Sequence, residues 1–257
     1  MLPFLNIFGL RIPTYGLCMM LGLYLCAAFA MIGAKKKNIR PELVLVIAAL
    51  TVVGAIGGAG LLYIIVTYNI EQIITGILNG TLTVGLVFYG GLIGGIIGAF
   101  AGAKVAKIDL LELEDVIVPY VPLGHAIGRI GCLLAGCCNG MEYSGFGAVY
   151  YKNPIVDTLD PNVGYFPVQA LEAFLDIIIM VILIISAKKK LPKYDLLFRY
   201  LFMYAIMRFG TEMLRGDEIR GINILSTSQW ISVALIVLFF ARLIFKKCKA
   251  KKQVMNP

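Results

Sequence analysis

Seven apolar runs of about 20 residues each, parted by short polar connections, leave this chain few ways to fold. They lie at roughly 14–33, 43–66, 84–103, 116–135, 166–187, 196–214 and 225–245. Inside a bilayer every backbone N–H and C=O must find its partner within the protein, so runs of this length read as spanning helices. The short alternating segments of a barrel are missing. Of the 257 residues 60% are apolar and 15% charged, where a soluble domain carries about a quarter charged. The sequence predicts an all-α polytopic membrane protein with seven transmembrane helices, forming a single membrane domain over 1–257.

The net charge of +8 suggests nucleic acid until the charges are placed. Lys35, Lys36, Lys37 and Arg40 follow the first run, and Lys104 and Lys107 the third. Lys188, Lys189, Lys190 and Lys193 follow the fifth, and Arg242, Lys246, Lys247, Lys249, Lys251 and Lys252 close the last. Basic residues on alternate connections are the positive-inside pattern, which puts the N-terminus outside and the C-terminus inside. These lysines set topology and meet anionic lipid, and no nucleic-acid partner is expected. The first run lacks a preceding basic segment and a small-residue cleavage site, so it reads as an uncleaved helix. The connection 136–165 is rich in Gly, Pro, Asn and Asp, reads as turns, and forms the outer-face cap.

Arg129 and Arg208 stand inside apolar runs. A guanidinium at membrane depth is costly and marks function, and two together suit an anionic guest such as a phospholipid phosphate. At about 1.5 Å per residue, Arg129 lies about 20 Å above the inner end of its span and Arg208 about 18 Å. Glu172 lies about 9 Å below the outer end of its span, and Tyr89 about 8 Å. Glu212 follows Arg208 by one helical turn on the same face. Four spans therefore bring polar groups to one layer in the outer half of the bilayer.

Other features have two readings each. Gly90, Gly94 and Gly98, and Gly54 and Gly58, recur at four-residue spacing, which lets helices approach closely in lipid; Gly90 and Gly91 could instead expose backbone to a substrate. His125, the one histidine, is a packing group hydrogen-bonded to a neighbouring helix or a general base. Cys18 and Cys26 read as small packing residues. Cys132, Cys137 and Cys138 form a structural group or an outer-face disulfide, or else supply a nucleophile or metal ligands. Their Cys-x4-Cys-Cys spacing with one distant histidine matches no recognised zinc pattern, so no metal is expected. Asp176, near mid-membrane, reads as paired or protonated in the bundle. Trp230, Tyr150 and Tyr151 read as interfacial aromatics, and Arg199 as snorkelling inward.

Six motifs in order resemble the bacterial prolipoprotein diacylglyceryl transferases. IPTYGLCMMLG (12–22) is similar to the opening helix, and VFYGGLIGG (87–95) to a Phe-His-Gly-Gly segment. PLGHAIGRIGCLLAGCCNG (122–140) carries the Gly-Arg-x-Gly core of the signature, and FPVQALEA (166–173) resembles His-Pro-x-Gln-Leu-Tyr-Glu-Ala. RFGTEMLRGD (208–217) matches Arg-Phe-x-x-Glu-x-x-Arg, and LSTSQWIS (225–232) resembles Leu-Ser-x-x-Gln. The family also has seven helices in the same orientation.

The resemblance implies a multi-pass enzyme of the bacterial cytoplasmic (inner) membrane. Such an enzyme moves the diacylglyceryl group of phosphatidylglycerol to the lipobox cysteine of a preprolipoprotein and releases glycerol 1-phosphate, without a cofactor. Carried over, Arg129 and Arg208 hold the leaving phosphate, and Glu212 orients Arg208 or pairs with Arg215. Tyr15 meets the headgroup, Gln169 and Glu172 support the site, and Gly140 ends the signature turn. The chain departs from the pattern where Tyr89 replaces the histidine before Gly-Gly, Cys132 an asparagine, Cys137 a glutamate, Phe166 a histidine and Leu171 a tyrosine. Those departures leave Tyr89 and His125 as the candidate proton acceptors. They also admit another membrane acceptor for a phospholipid-derived group, or a non-catalytic phospholipid-binding or lipid-moving protein.

Overall fold

A computed structural model describes residues 2–7, 9–152, 159–189, 191–216, 221–222 and 224–255. A short antiparallel hairpin, β1 (Phe4–Ile7) and β2 (Leu10–Pro13), precedes helix α1 (Thr14–Lys36). Then come α2 (Pro41–Thr67), α3 (Ile70–Leu78), α4 (Phe88–Ala106), the single turn α5 (Glu114–Ile117) and α6 (Val121–Ala135). They are followed by α7 (Val168–Ala187), α8 (Asp195–Glu212), a second small hairpin of β3 (Gly221–Ile222) and β4 (Leu225–Ser226), and α9 (Thr227–Met255).

Among the described residues, six stretches are long and apolar enough to cross a membrane: 14–36, 41–67, 88–106, 114–135, 168–187 and 227–248. The fourth is interrupted, because Pro119 and Pro122 each remove a backbone donor between α5 and α6. The sixth expected span, 196–214, is helical but is not among the six. Asp195, Arg199, Arg208 and Glu212 all fall within its 18 residues, so length and apolarity alone do not single it out. The first hairpin, α3 and β3 lie in segments read from the sequence as loops, and β4 lies at the head of the last expected span.

The chain divides into two compact units, 27–116 and the remainder, with α1 beginning in one and ending in the other. In the unit 27–116, α2 and α4 meet along their glycines. A Cβ on Gly94 would strike the Gly54 carbonyl, and one on Gly58 the Gly90 carbonyl, so the close approach requires both to be bare. Pro41 opens α2 at the position where its missing N–H costs nothing. Helix α3 is started by a capping box: Gln72 N–H donates to the Asn69 side chain at 2.8 Å and Asn69 N–H to Gln72 Oε1 at 3.0 Å. Its Ile70, Ile74, Ile77 and Leu78 side chains are exposed, the form of a helix that lies in a membrane interface.

In the other unit, the start of α1 crosses α6 at small residues, since a Cβ on Gly22 would sit 3.0 Å from the Gly124 carbonyl oxygen. Val118, Ile179, Leu183, Leu196 and Tyr200 form the apolar core between α7, α8 and the turn before α6. Asp195 at the start of α8 bonds Arg242 of α9 at 2.9 Å and also pairs with Lys246. The connection after α6 has its own small core of Tyr151, Leu159 and Tyr165. These contacts hold α6, α7, α8 and α9 in the register that forms the site.

Candidate functional site

Glu172, on the second turn of α7, is 1% exposed and joins Arg129 and Arg208. Its Oε2 lies 3.0 Å from Arg129 Nε on α6, and its Oε1 accepts from Arg208 Nη1 on α8 at 2.6 Å. Thr211, one turn beyond Arg208, donates its hydroxyl to the same Oε1 at 2.9 Å. Arg208 Nη2 meets Glu212 Oε2 at 2.5 Å and donates to Ser228 of α9 at 3.3 Å. Four helices thus converge on two guanidiniums and two carboxylates. Charges this deep persist only when paired, and one carboxylate between two arginines fixes their spacing. Arg129 meets Glu172 through Nε, and a guanidinium carries further N–H donors of the kind an anion accepts.

Asp176, one turn below Glu172 on α7, is also 1% exposed, and its Oδ1 has no hydrogen-bond partner among the described residues. His125 Nδ1 lies 3.0 Å from the Tyr200 hydroxyl, and its ring packs against Tyr200 and Tyr204. Those contacts are the ones the packing reading of His125 asks for.

The end of α6 builds a second part of the site. Gly136 takes the left-handed conformation, φ 73°, and the Cys132 carbonyl accepts both Gly136 N–H at 3.0 Å and Cys137 N–H at 3.1 Å. The chain therefore folds back over Cys132. Cys138 is left-handed as well, φ 57°, an uncommon conformation for a residue with a side chain. As a result the sulfurs of Cys132, Cys137 and Cys138 lie within 4.8 Å of one another. All three are free thiols. Hydrogen bonding by the Cys132 and Cys137 thiols, aided by Arg215 and Arg129, holds the Cys138 thiol below its ordinary pKa against the opposing effect of burial. Tyr15, in the first turn of α1, is an electrostatic neighbour of the three cysteines and of Arg129.

Gln169 locks this turn to α7. It is fully buried, and its Nε2 donates to the Cys137 carbonyl at 2.8 Å and to the Tyr151 hydroxyl at 2.9 Å. Gly140 lies where three backbone segments meet. It bridges Arg215, Met141 N–H donates to the Leu214 carbonyl at 2.9 Å, and a Cβ on Gly140 would strike the Phe166 carbonyl.

Most of the predicted site residues thus gather in one unit: Tyr15, Arg129, Cys132, Cys137, Gly140, Gln169, Glu172, Arg208, Glu212 and Arg215. Tyr89, Gly90 and Gly91 belong to the unit 27–116, at the start of α4. There Gly90 is buried against Gly58 and Leu62 of α2, the contact that the close-packing reading of the glycines describes. Sequence reasoning passed over Thr211 and Ser228. Both sat inside motifs already singled out, but a hydroxyl's direction is not written in its motif.

The sequence model described as prolipoprotein diacylglyceryl transferase matches residues 3–245. A phosphatidylglycerol–prolipoprotein diacylglyceryl transferase 2 of Clostridium perfringens is 31% identical over 249 residues, covering 96% of each chain. The corresponding enzyme of Clostridium tetani is 33% identical over 236 residues, 91% of this chain and 92% of its own. That of Dehalococcoides mccartyi is 31% identical over 254 residues, 98% and 95%.

Proposed function

This chain belongs to the prolipoprotein diacylglyceryl transferase family, and on that premise we propose that it moves the diacylglyceryl group of phosphatidylglycerol to the cysteine thiol of a prolipoprotein lipobox, releasing glycerol 1-phosphate. The observation that carries the reading is the pair of arginines held by the buried Glu172. The acceptor sulfur attacks a glyceryl carbon, a C–S bond forms, and the C–O bond to phosphate breaks with its electron pair leaving on the phosphate oxygen. Negative charge grows on the phosphate as that bond breaks. Arg129 and Arg208 are preorganised to meet it in a site with little water, where such contacts count most. Guanidinium forks also match phosphate geometry in a way an ammonium does not.

In this reading Glu212 and Glu172 orient the arginines, Tyr15 meets the headgroup, Gln169 and Gly140 shape the outer turn, and Arg215 lies at its rim. Tyr89 and His125 remain the candidate proton acceptors, with Gly90 and Gly91 beside Tyr89. The chain crosses the bacterial inner membrane seven times, α8 joining the six apolar stretches as a further span, with its N-terminus outside, its C-terminus inside and 136–165 capping the outer face. The lysine clusters at alternate connections support that orientation.

The test is incubation of the purified protein in lipid with labelled phosphatidylglycerol and a lipobox peptide. The expected result is a diacylglyceryl thioether on the peptide with one glycerol phosphate released for each. Glycerol phosphate release without peptide modification would point to another acceptor, a reading that the tyrosine at position 89 favours. Lipid retention without turnover would leave a phospholipid-binding protein.

A further inference from the structure

The cysteine cluster has no part in the phosphate clamp, yet the fold gathers it at a strained backbone beside that clamp. Two left-handed residues, Gly136 and Cys138, and a fully buried glutamine are spent on bringing three sulfurs within 4.8 Å of one another. A disulfide accounts poorly for this. Adjacent Cα atoms are about 3.8 Å apart while a disulfide prefers about 4.4–6.8 Å, so Cys137 and Cys138 are ill placed to pair. Any other pairing leaves one thiol of the three unused.

We propose that Cys132, Cys137 and Cys138 form a three-thiolate site for a zinc ion, whose open fourth position takes the acceptor thiol. Tetrahedral zinc with sulfur at about 2.3 Å needs sulfurs about 3.8 Å apart, which the cluster reaches by small rotamer changes. Among the described residues no other His, Cys, Asp or Glu joins the group. Three protein ligands and one vacancy are the pattern of catalytic zinc sites, and four protein ligands that of structural ones. Three thiolates on one dication leave a net negative charge, which Arg129 and Arg215 are placed to offset as electrostatic neighbours of Cys138.

The chemistry supplies what the missing family histidine leaves undone. A thiol that coordinates zinc loses its proton outright, so it becomes a nucleophile without a nearby base. The proton passes to water. The coordinated sulfur then gives an electron pair to the glyceryl carbon, and the C–O pair departs with the phosphate held by the arginines. The thioether product is a weaker ligand and leaves the metal. Arg129, one turn before Cys132 on α6, stands between the two halves of the reaction.

This inference rests on the transferase reading, and the experiment separates them. The full-length protein is purified with a phosphine reductant and no chelator, its zinc is measured, and the metal is exchanged for cobalt. Expected are about one zinc per chain and the strong visible bands of tetrahedral cobalt with thiolate charge transfer. Cys132→Ser, Cys137→Ser and Cys138→Ser should each weaken cobalt binding at least tenfold. A lipobox peptide should shift the wild-type cobalt bands, and its cysteine-to-serine version should not. Metal-free wild-type protein with no cobalt bands, or a cobalt spectrum unchanged by all three substitutions, overturns the site, as does an isolated Cys132–Cys137 disulfide that rebinds no metal on reduction. Cobalt bands that ignore the peptide thiol overturn its role as fourth ligand. Should the serine variants fail to fold, sulfur coordination from X-ray absorption of the wild type decides. Full-rate lipidation by chelator-stripped enzyme sinks the metal and leaves the transferase reading standing. Metal binding with a peptide response but no lipidation supports the site and removes the transferase reading.

Discussion

Glu172→Gln separates the two things that Glu172 does. The substitution keeps the shape and one oxygen but removes the charge shared by Arg129 at 3.0 Å and Arg208 at 2.6 Å. Those arginine side chains are 20% and 12% exposed, so water cannot replace the lost partner. Breaking a buried pair by removing one charge costs about 3–5 kcal/mol. Glu212 still holds Arg208, and the glutamine oxygen still accepts from one neighbour, which argues for the lower end, about 3 kcal/mol. A phosphate would then compete with no carboxylate for the released nitrogens. One added charge-assisted contact is worth about 1.5–3 kcal/mol, or roughly tenfold to a hundredfold tighter retention of phosphatidylglycerol. Turnover should fall, because arginines without their spacer no longer meet the transition state in fixed positions. Thermal unfolding in lipid, retention of labelled phosphatidylglycerol and glycerol phosphate release read the three effects separately. The predicted signature is stability down, lipid retention up and turnover down. Wild-type stability together with unchanged lipid retention would refute the bridging role.

Arg129→Ala and Arg208→Ala should each abolish transfer and weaken phosphatidylglycerol binding by on the order of 2 kcal/mol or more, measured by the same release and retention assays; full activity at normal protein levels would contradict the clamp. Arg129→Lys should fail as well, because an ammonium lacks the planar fork. Gly140→Ala should unseat the outer turn, seen as faster proteolysis of the 136–165 connection, since the new Cβ meets the Phe166 carbonyl. In chelator-stripped protein Tyr89→His should raise transfer near pH 7, where a histidine with its ordinary pKa of about 6.5 accepts a proton and a tyrosine does not; pH–rate profiles of both proteins with one lipobox peptide check it. Lys188 and Lys189 should resist an impermeant amine reagent applied to intact cells, and labelling from outside would reverse the proposed topology.

The helices were legible because hydrocarbon enforces a simple rule: about 20 apolar residues, then a charge or a turn. Helix α8 tested that rule's limit. Its apolar run was visible, but it carries four charged residues, of which Arg208 and Glu212 serve the site, and together they hide it from a search by apolarity. Helix α3 was missed although Asn69 and Gln72 spelled out a capping box, and Ile70, Ile74 and Ile77 share one face. The short hairpins had no such signal.

The site was legible to the extent that burial punishes charge. Arginines in apolar runs announce themselves, and Glu212 follows from Arg208 by helical spacing alone. Glu172 does not follow from anything local: its place between two arginines exists only once α6, α7 and α8 are packed, so sequence reasoning assigned it a supporting role and the structure puts it at the centre. The cysteines show the same limit from the other side. Their spacing fits no known ligand pattern, because the pattern is written for loops, whereas here one sulfur rides on a helix and two on the turn that folds back over it. That fold-back also puts Arg129 in reach of both the carboxylate and the thiols. A single guanidinium therefore responds to what arrives on either side, so occupancy of the clamp by phosphate should alter the thiol cluster's reactivity toward an alkylating probe, and loss of that coupling in Arg129→Lys would mark Arg129 as the link.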